Sequence, residues 1–153
     1  METLDKYDLE ILRLLQENAR LTVKEVASRV NLSTTPVFER IKRLERNGYI
    51  KRYVALLDAQ KLNRGFVVYC CVKLSRLNRE IALNFVEMMK KVPQVSECYN
   101  ISGEYDYMLK IMAPDMKSYQ EFVLNTLGSI DNLGSLTSMF VMEEIKNSFE
   151  LTL

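Results

Sequence analysis

Apolar side chains in the first third of the chain recur every three or four residues. Beyond Gly65 they run together or alternate, so the sequence divides into a helical part and a strand-bearing part. Leu9, Leu12 and Leu15, with Ile11 beside them, supply the buried side of a first helix. Asp5 can cap it, Asp8 adds a negative charge at its third position, Leu4 can pack on Leu9, and Asn18 with Ala19 ends it after about Glu17. A second helix opens on Thr22 and Glu25, spaced as a capping box, with Leu21 and Val26 placed as a staple and Val23, Val26, Ala27 and Val30 inward. Between Asn31 and Gly48, Val37, Ile41 and Leu44 form the single apolar seam of a third helix. Ser33 or Thr35 caps it, Pro36 suits its first turn, and Gly48 supplies a left-handed stop.

Tyr49 to Leu57 alternates well enough for a two-stranded wing or one strand, and the polar run Asp58 to Arg64 reads as a hinge. Phe66 to Leu74, FVVYCCVKL, has the composition of a strand covered on both faces. Asn78 can cap a helix through Lys91, with Ile81, Phe85, Met88 and Met89 inward. Val95 to Ile101 and Tyr105 to Ala113 read as strands joined by Ser102-Gly103-Glu104. Pro114-Asp115 opens a helix through Leu127, stopped by Gly128. Leu136 to Ile145 is the last strand, and Lys146 to Leu153 is a tail able to pack on a neighbour. The order βαββαβ is the ferredoxin-like pattern, with two helices on one face of an antiparallel sheet. Strands this apolar imply a layer on the other face as well, most simply an identical subunit across a two-fold axis. The expected class is α+β: a winged helix-turn-helix at 1–57, a hinge at 58–65 and a ferredoxin-like domain at 66–153.

Composition narrows the chemistry. A net charge of +1 says little, but its distribution says more. Through Arg64 there are 13 Lys/Arg against 9 Asp/Glu, a balance of +4, and from Gly65 onward 8 against 11, a balance of −3. Only the first part is suited to face phosphates. The chain contains no histidine, the commonest general acid or base and metal ligand. No nucleophile elbow, phosphate-cradling glycine loop or zinc-type spacing is present, so no catalytic residue, metal site or cofactor is expected. Cys70 and Cys71 are neighbours in a strand and point to opposite faces, which disfavours a disulfide between them. These two and Cys98 read as small buried thiols. No stretch is long and apolar enough for a membrane span, and the start lacks the apolar core of an export signal. The expected location is the cytoplasm.

A helix with hydroxyls and cations outside its seam has the composition of a DNA-reading helix, although a lone basic helix is as readily an ordinary solvated one. What precedes it favours recognition: two short helices, a tight connection through Asn31-Leu32-Ser33 and a basic second member make the helix-turn-helix pattern. Ser102 to Tyr107, by contrast, reads from its residues alone as a hairpin turn with solvated carboxylates.

LDKYDLEILRLLQENARLT, then LSTTPVFERIKRLERNGYIKRY, SGEYDYMLKI and VMEEIK together closely resemble the Lrp/AsnC group of leucine- and asparagine-responsive transcription regulators, over Leu4 to Leu153. One departure is Thr-Thr-Pro at the start of the third helix, where Ser-Pro-Thr-Pro is frequent. It keeps the turn. The resemblance implies a DNA-binding regulator modulated by a free amino acid, as homodimers that pack their sheets together and assemble to octamers or larger rings. Ser33, Thr34, Thr35, Phe38, Glu39 and Lys42 are then expected near base edges, and Arg40, Arg43, Arg46, Lys51 and Arg52 near phosphates, with Arg40 alternatively bracing the first helix. An effector site is expected at Gly103, Glu104, Tyr105 and Asp106. Asp106 would take the ammonium, the Gly103 backbone with Thr137 and Ser138 the carboxylate, and Met116, Met139 and Val141 would form apolar walls. Leucine and methionine suit such walls. Two rivals are a ligand-independent nucleoid-organising protein and a siroheme-decarboxylase-like enzyme. The second resembles this layout but relies on the histidine that this chain lacks.

Overall fold

Three short helices open the chain, and the first two begin on a side chain that satisfies their first N–H groups. α1, Lys6–Glu17, starts on Asp5, whose carboxylate accepts from the backbone N–H of Tyr7 and Asp8 while Asp8 reaches back to the Asp5 N–H. α2, Val23–Val30, starts on the expected Thr22–Glu25 capping box. α3, Thr34–Arg46, begins after Ser33, whose hydroxyl makes no capping bond. Asn31 turns the chain between α2 and α3 in the left-handed conformation, φ +54°. Gly48, φ +77°, lets the N–H groups of Tyr49 and Ile50 fold back onto the Leu44 carbonyl.

The computed structural model describes residues 3–76 and 78–153 and divides into two units. The first runs to Leu56 and takes in Lys146–Leu153, and the second is Leu57–Ile145. The core of the first is Ile11, Leu14, Val26, Ala27, Val30, Val37, Ile41 and Leu44. On α1 the buried stripe is therefore Asp8, Ile11 and Leu14, with Leu12 and Leu15 packed at its edge. Leu9, Leu12 and Leu15 share that helix's leucine spacing, but Asp8 and Ile11 lie six and three residues before Leu14, on the face turned to α3.

No strand forms between Tyr49 and Asp58. Alternating sequence alone does not make a strand, because its N–H and C=O groups need a ladder partner, and no described segment of the chain supplies one. Tyr53, Val54, Leu56 and Leu57 are exposed there. The tail, Lys146–Leu153, lies on α1: the Gln16 side-chain amide gives Nε2–H to the Leu151 carbonyl at 3.2 Å and accepts the Leu151 N–H at 2.7 Å. Arg13 donates to the carbonyl of Leu153.

In the second unit, Asp58 to Arg64 forms turns, closed by Arg64 N–H to the Ala59 carbonyl at 2.8 Å. β1 (Phe66–Leu74), α4 (Arg79–Met89), β2 (Val95–Asn100), β3 (Tyr107–Ala113), α5 (Met116–Phe122) and β4 (Leu133–Phe140) follow, with the antiparallel sheet ordered β2-β3-β1-β4. This is the expected ferredoxin-like topology. α5 continues into a π-helical turn, Val123–Leu127, rather than reaching Leu127 as regular helix. β4 starts at Leu133 and ends at Phe140, earlier at both ends than its apolar pattern indicates: its ladder with β1 runs from Leu74 to Val68, and beyond it Val141 N–H still reaches the Val67 carbonyl at 3.1 Å. Val68, Cys70, Val72, Leu74, Leu109 and Ile111 pack against Phe85, Met89, Tyr119 and Phe122. The opposite face carries Tyr69, Met108, Met112 and Met139, half-buried or exposed. Cys70 and Cys71 are buried as expected, whereas Cys98 is exposed, because β2 is an edge strand with only β3 beside it.

Candidate nucleic-acid interface and effector site

The seam of α3, Val37, Ile41 and Leu44, is buried, and the rest of the helix divides into two stripes. Thr34, Thr35, Phe38, Glu39, Lys42 and Arg46 are exposed, as are Ser33 before the helix and Lys51 and Arg52 after it. Lys42 Nζ lies 5.7 Å from the centroid of the Phe38 ring and 3.0 Å from Glu45. Glu45 also accepts from the Tyr53 hydroxyl at 3.0 Å, and burial together with that carboxylate pushes the phenol up to about 12.

Arg40 and Arg43 form the second stripe, turned toward α1. Arg40 Nη1 lies 2.7 Å from Asp5 Oδ2 and 2.7 Å from Asp8 Oδ1, and Arg43 Nη2 lies 2.7 Å from both Asp8 oxygens. Asp8 is 1% exposed. Burial opposes the charge on Arg40, yet the hydrogen bonds it donates to Asp8 and Asp5 hold its guanidinium above its ordinary value. The sequence placed both arginines at phosphates. The structure gives their charge to α1, which for Arg40 is the bracing alternative. The missed signal was the i, i+3 spacing of two aspartates in α1 facing the i, i+3 spacing of two arginines in α3.

In the second unit the loop between β2 and β3 is closed by Ile101 N–H to the Asp106 carbonyl at 3.0 Å, and Gly103 there takes φ +118°, a conformation that favours glycine. The Tyr105 hydroxyl lies 2.7 Å from the Thr137 hydroxyl, joining the loop to β4. Asp106 Oδ2 accepts the Leu74 N–H at 2.8 Å, so one of its oxygens is committed to the backbone of β1. Glu104 is exposed and makes no ion pair among the described residues.

The remaining expected effector residues do not converge within one chain. Thr137 and Ser138 are adjacent in β4 and face opposite sides of the sheet. Ser138 bonds the Tyr119 hydroxyl at 2.5 Å on the helix side, where burial pushes that phenol up to about 12. β3 starts opposite Val72, beside the loop, and ends at Ala113 opposite Phe66. Its length, six steps of about 3.3 Å, puts the two ends roughly 20 Å apart. Met116 follows Ala113, and Val141 donates its N–H to Val67, so both lie at the far end while Met139 sits between, opposite Tyr69. A recess of about 450 Å³ between α4 and residues 129–132, floored by Ile81, Phe85, Met88 and Ile130, contains none of the residues chosen from sequence. No group of three or more potential metal ligands occurs among the described residues, and none of their helices is long and apolar enough to cross a membrane.

Comparison with known proteins places this geometry. The family model for winged helix-turn-helix DNA-binding matches residues 4–51, and that for the Lrp/AsnC ligand binding domain matches residues 67–151. The chain belongs to the Lrp/AsnC family. It is a DNA-binding transcriptional regulator with a reading head in front and an amino-acid ligand domain behind. The DNA-binding transcriptional activator DecR of Escherichia coli K12 is 38% identical over 148 residues, which is 97% of each chain. The leucine-responsive regulatory protein of the same organism is 36% identical over 150 residues, 98% of this chain and 92% of that one. A Neisseria meningitidis transcriptional regulator, solved as its L-Met complex, superposes with a TM-score of 0.94 at 39% identity, covering 98% of this chain and 97% of the other. The two Escherichia coli relatives match across 97% and 98% of this chain, so head and ligand domain occur together in them in the same order.

Proposed function

We propose that this regulator reads duplex DNA with the exposed stripe of α3 and that a free amino acid with an apolar side chain, held near the β2–β3 loop, biases its assembly or its affinity for DNA. The observation that carries the first half is the partition of α3. One stripe is core, a second is neutralised against α1, and a third offers hydroxyls, an aromatic ring and the exposed cations Lys42 and Arg46 to solvent. Thr34 and Thr35 can meet a thymine methyl, Glu39 can accept from cytosine, and Lys42 can reach guanine. Arg46, Lys51 and Arg52 flank that stripe as phosphate contacts.

For the effector, the N–H groups around Gly103 and the Tyr105–Thr137 hydroxyl pair suit a carboxylate, and Glu104 with the loop carbonyls suits the ammonium in place of Asp106. Met116 and Val141 lie at the far end of the sheet, so they wall this site only if a second chain brings them to it. Pairing of the apolar sheet faces through Tyr69, Met108, Met112 and Met139 would supply such a chain, with higher assembly adding avidity on DNA. The complex of the Neisseria regulator supports methionine as a first choice. An effector acts only through unequal affinity for two arrangements.

The test is a thermal-shift screen of the full chain with the twenty amino acids and with a duplex that it enriches from a random-sequence pool. A ligand at a hundredfold excess over its Kd adds about 2.7 kcal/mol of stability. At roughly 2–4 °C per kcal/mol, one or more apolar amino acids, and separately the duplex, should raise Tm by several degrees. No shift with any amino acid would remove the effector reading. No enrichment of any duplex would remove the DNA-reading one.

A further inference from the structure

Among the described residues of the first unit, Asp8 is the most completely buried charged side chain, and it belongs to α1, outside the helix-turn-helix itself. Its Oδ1 accepts from both Arg40 and Arg43, and its Oδ2 accepts from Arg43 and from the Asp5 N–H at 3.2 Å. Asp5 completes the group by pairing with Arg40. Two carboxylates at the start of α1 thus face two guanidiniums of α3, and the four charges cancel. The Tyr7 ring lies against Arg40, its centroid 5.6 Å from the guanidinium carbon.

We infer that Asp8 is a positioning residue that sets DNA specificity by holding Arg40 and Arg43 away from phosphate. This rests on α3 being the reading helix and adds a residue that touches no DNA. The reasoning has two parts. A single carboxylate gripping two residues one turn apart fixes both the rotation of α3 about its axis and its position along α1, which the smooth aliphatic seam does less sharply. Those are the coordinates that decide where Thr34, Thr35 and Phe38 meet base edges. A guanidinium freed from Asp8 would also be a strong, sequence-blind phosphate ligand on the very helix that reads bases. Loss of the Asp8 charge should therefore weaken discrimination while strengthening indiscriminate binding, whereas an ordinary stability defect weakens all binding alike.

The experiment compares wild type, Asp8→Asn and Arg43→Gln for affinity to the duplex enriched by wild type and to sonicated mixed-sequence DNA, each over a series of salt concentrations. In Asp8→Asn the preference for the enriched duplex should fall at least tenfold. Its mixed-sequence affinity should rise, with a steeper salt slope, about 0.9 for an arginine released, while Arg40 keeps Asp5 as a partner. Arg43→Gln should lose preference with no change in slope, because that arginine is not a phosphate contact in wild type. Circular dichroism confirms that each variant is folded, and if Asp8→Asn is not, Arg43→Gln decides alone. A folded Asp8→Asn with wild-type preference and slope overturns the inference, as does an Arg43→Gln slope shallower by about 0.9. If wild type itself shows no preference between the two DNAs, the reading helix on which the inference rests falls first.

Discussion

Asp5 and Glu25 do the same work at the starts of two helices, and both carboxyls sit below their ordinary values. For Asp5 the Asp8 N–H is the largest cause and for Glu25 the Thr22 N–H. A carboxylate whose folded value is depressed contributes stability that is complete above its unfolded value and is lost as pH falls through the folded one. The first unit should therefore begin to lose stability as pH drops below the ordinary glutamate value of 4.5 and lose more below the ordinary aspartate value of 3.8. Urea midpoints measured between pH 7 and pH 3 should fall in wild type. They should fall less steeply in Asp5→Asn/Glu25→Gln, which starts lower at neutral pH, and parallel curves would contradict the assignment. The Thr22–Glu25 box was legible in the sequence because its partners are local. The second use of Asp5 and Asp8 was legible only as the alternative that Arg40 braces the first helix, since it depends on residues more than thirty positions away that only the packing of α3 on α1 brings near. Asp106 and Cys98 escaped for the same reason: a carboxylate bonded to a neighbouring strand and a thiol on an edge strand are facts of sheet order.

At the scale of elements, the helices were read closely and the strands less so. A helix satisfies its own hydrogen bonds, so caps and periodicity bound it, whereas a strand is bounded by what its neighbour can pair with. Tyr49 to Leu57 shows this most plainly, having the pattern of a strand and no partner. β4 shows it in part, since its apolar pattern runs on past the ladder with β1, which ends at Phe140 opposite Val68. The tail illustrates the converse, a segment with no periodicity that is nonetheless held. Gln16 engages both backbone groups of Leu151 much as a neighbouring strand would, the kind of docking no local pattern announces. Replacing Gln16 with Ala should cost about 1 kcal/mol of the first unit's stability and speed proteolysis of residues 146–153. Unchanged urea midpoints and cleavage rates would show that the tail's bonds contribute nothing.

On the scale of the whole molecule, the change of period near Gly65 and the change in sign of charge separated a reading head from a ligand domain, and the family comparison agrees with that order. The effector site was legible only as a loop. Its candidates lie on opposite faces and at opposite ends of one sheet, and alternation along a strand reveals face but not which end a second chain completes. Of the cations expected at DNA, Arg40 and Arg43 are already spent within the fold, and Lys42, Arg46, Lys51 and Arg52 are exposed. The slope of log affinity against log salt for the enriched duplex, compared between wild type and the variant with all four replaced by Ala, probes that claim most directly. The account predicts much weaker binding and a slope shallower by about 0.9 for each phosphate contact removed. A variant that is folded and binds with the wild-type affinity and slope would contradict it.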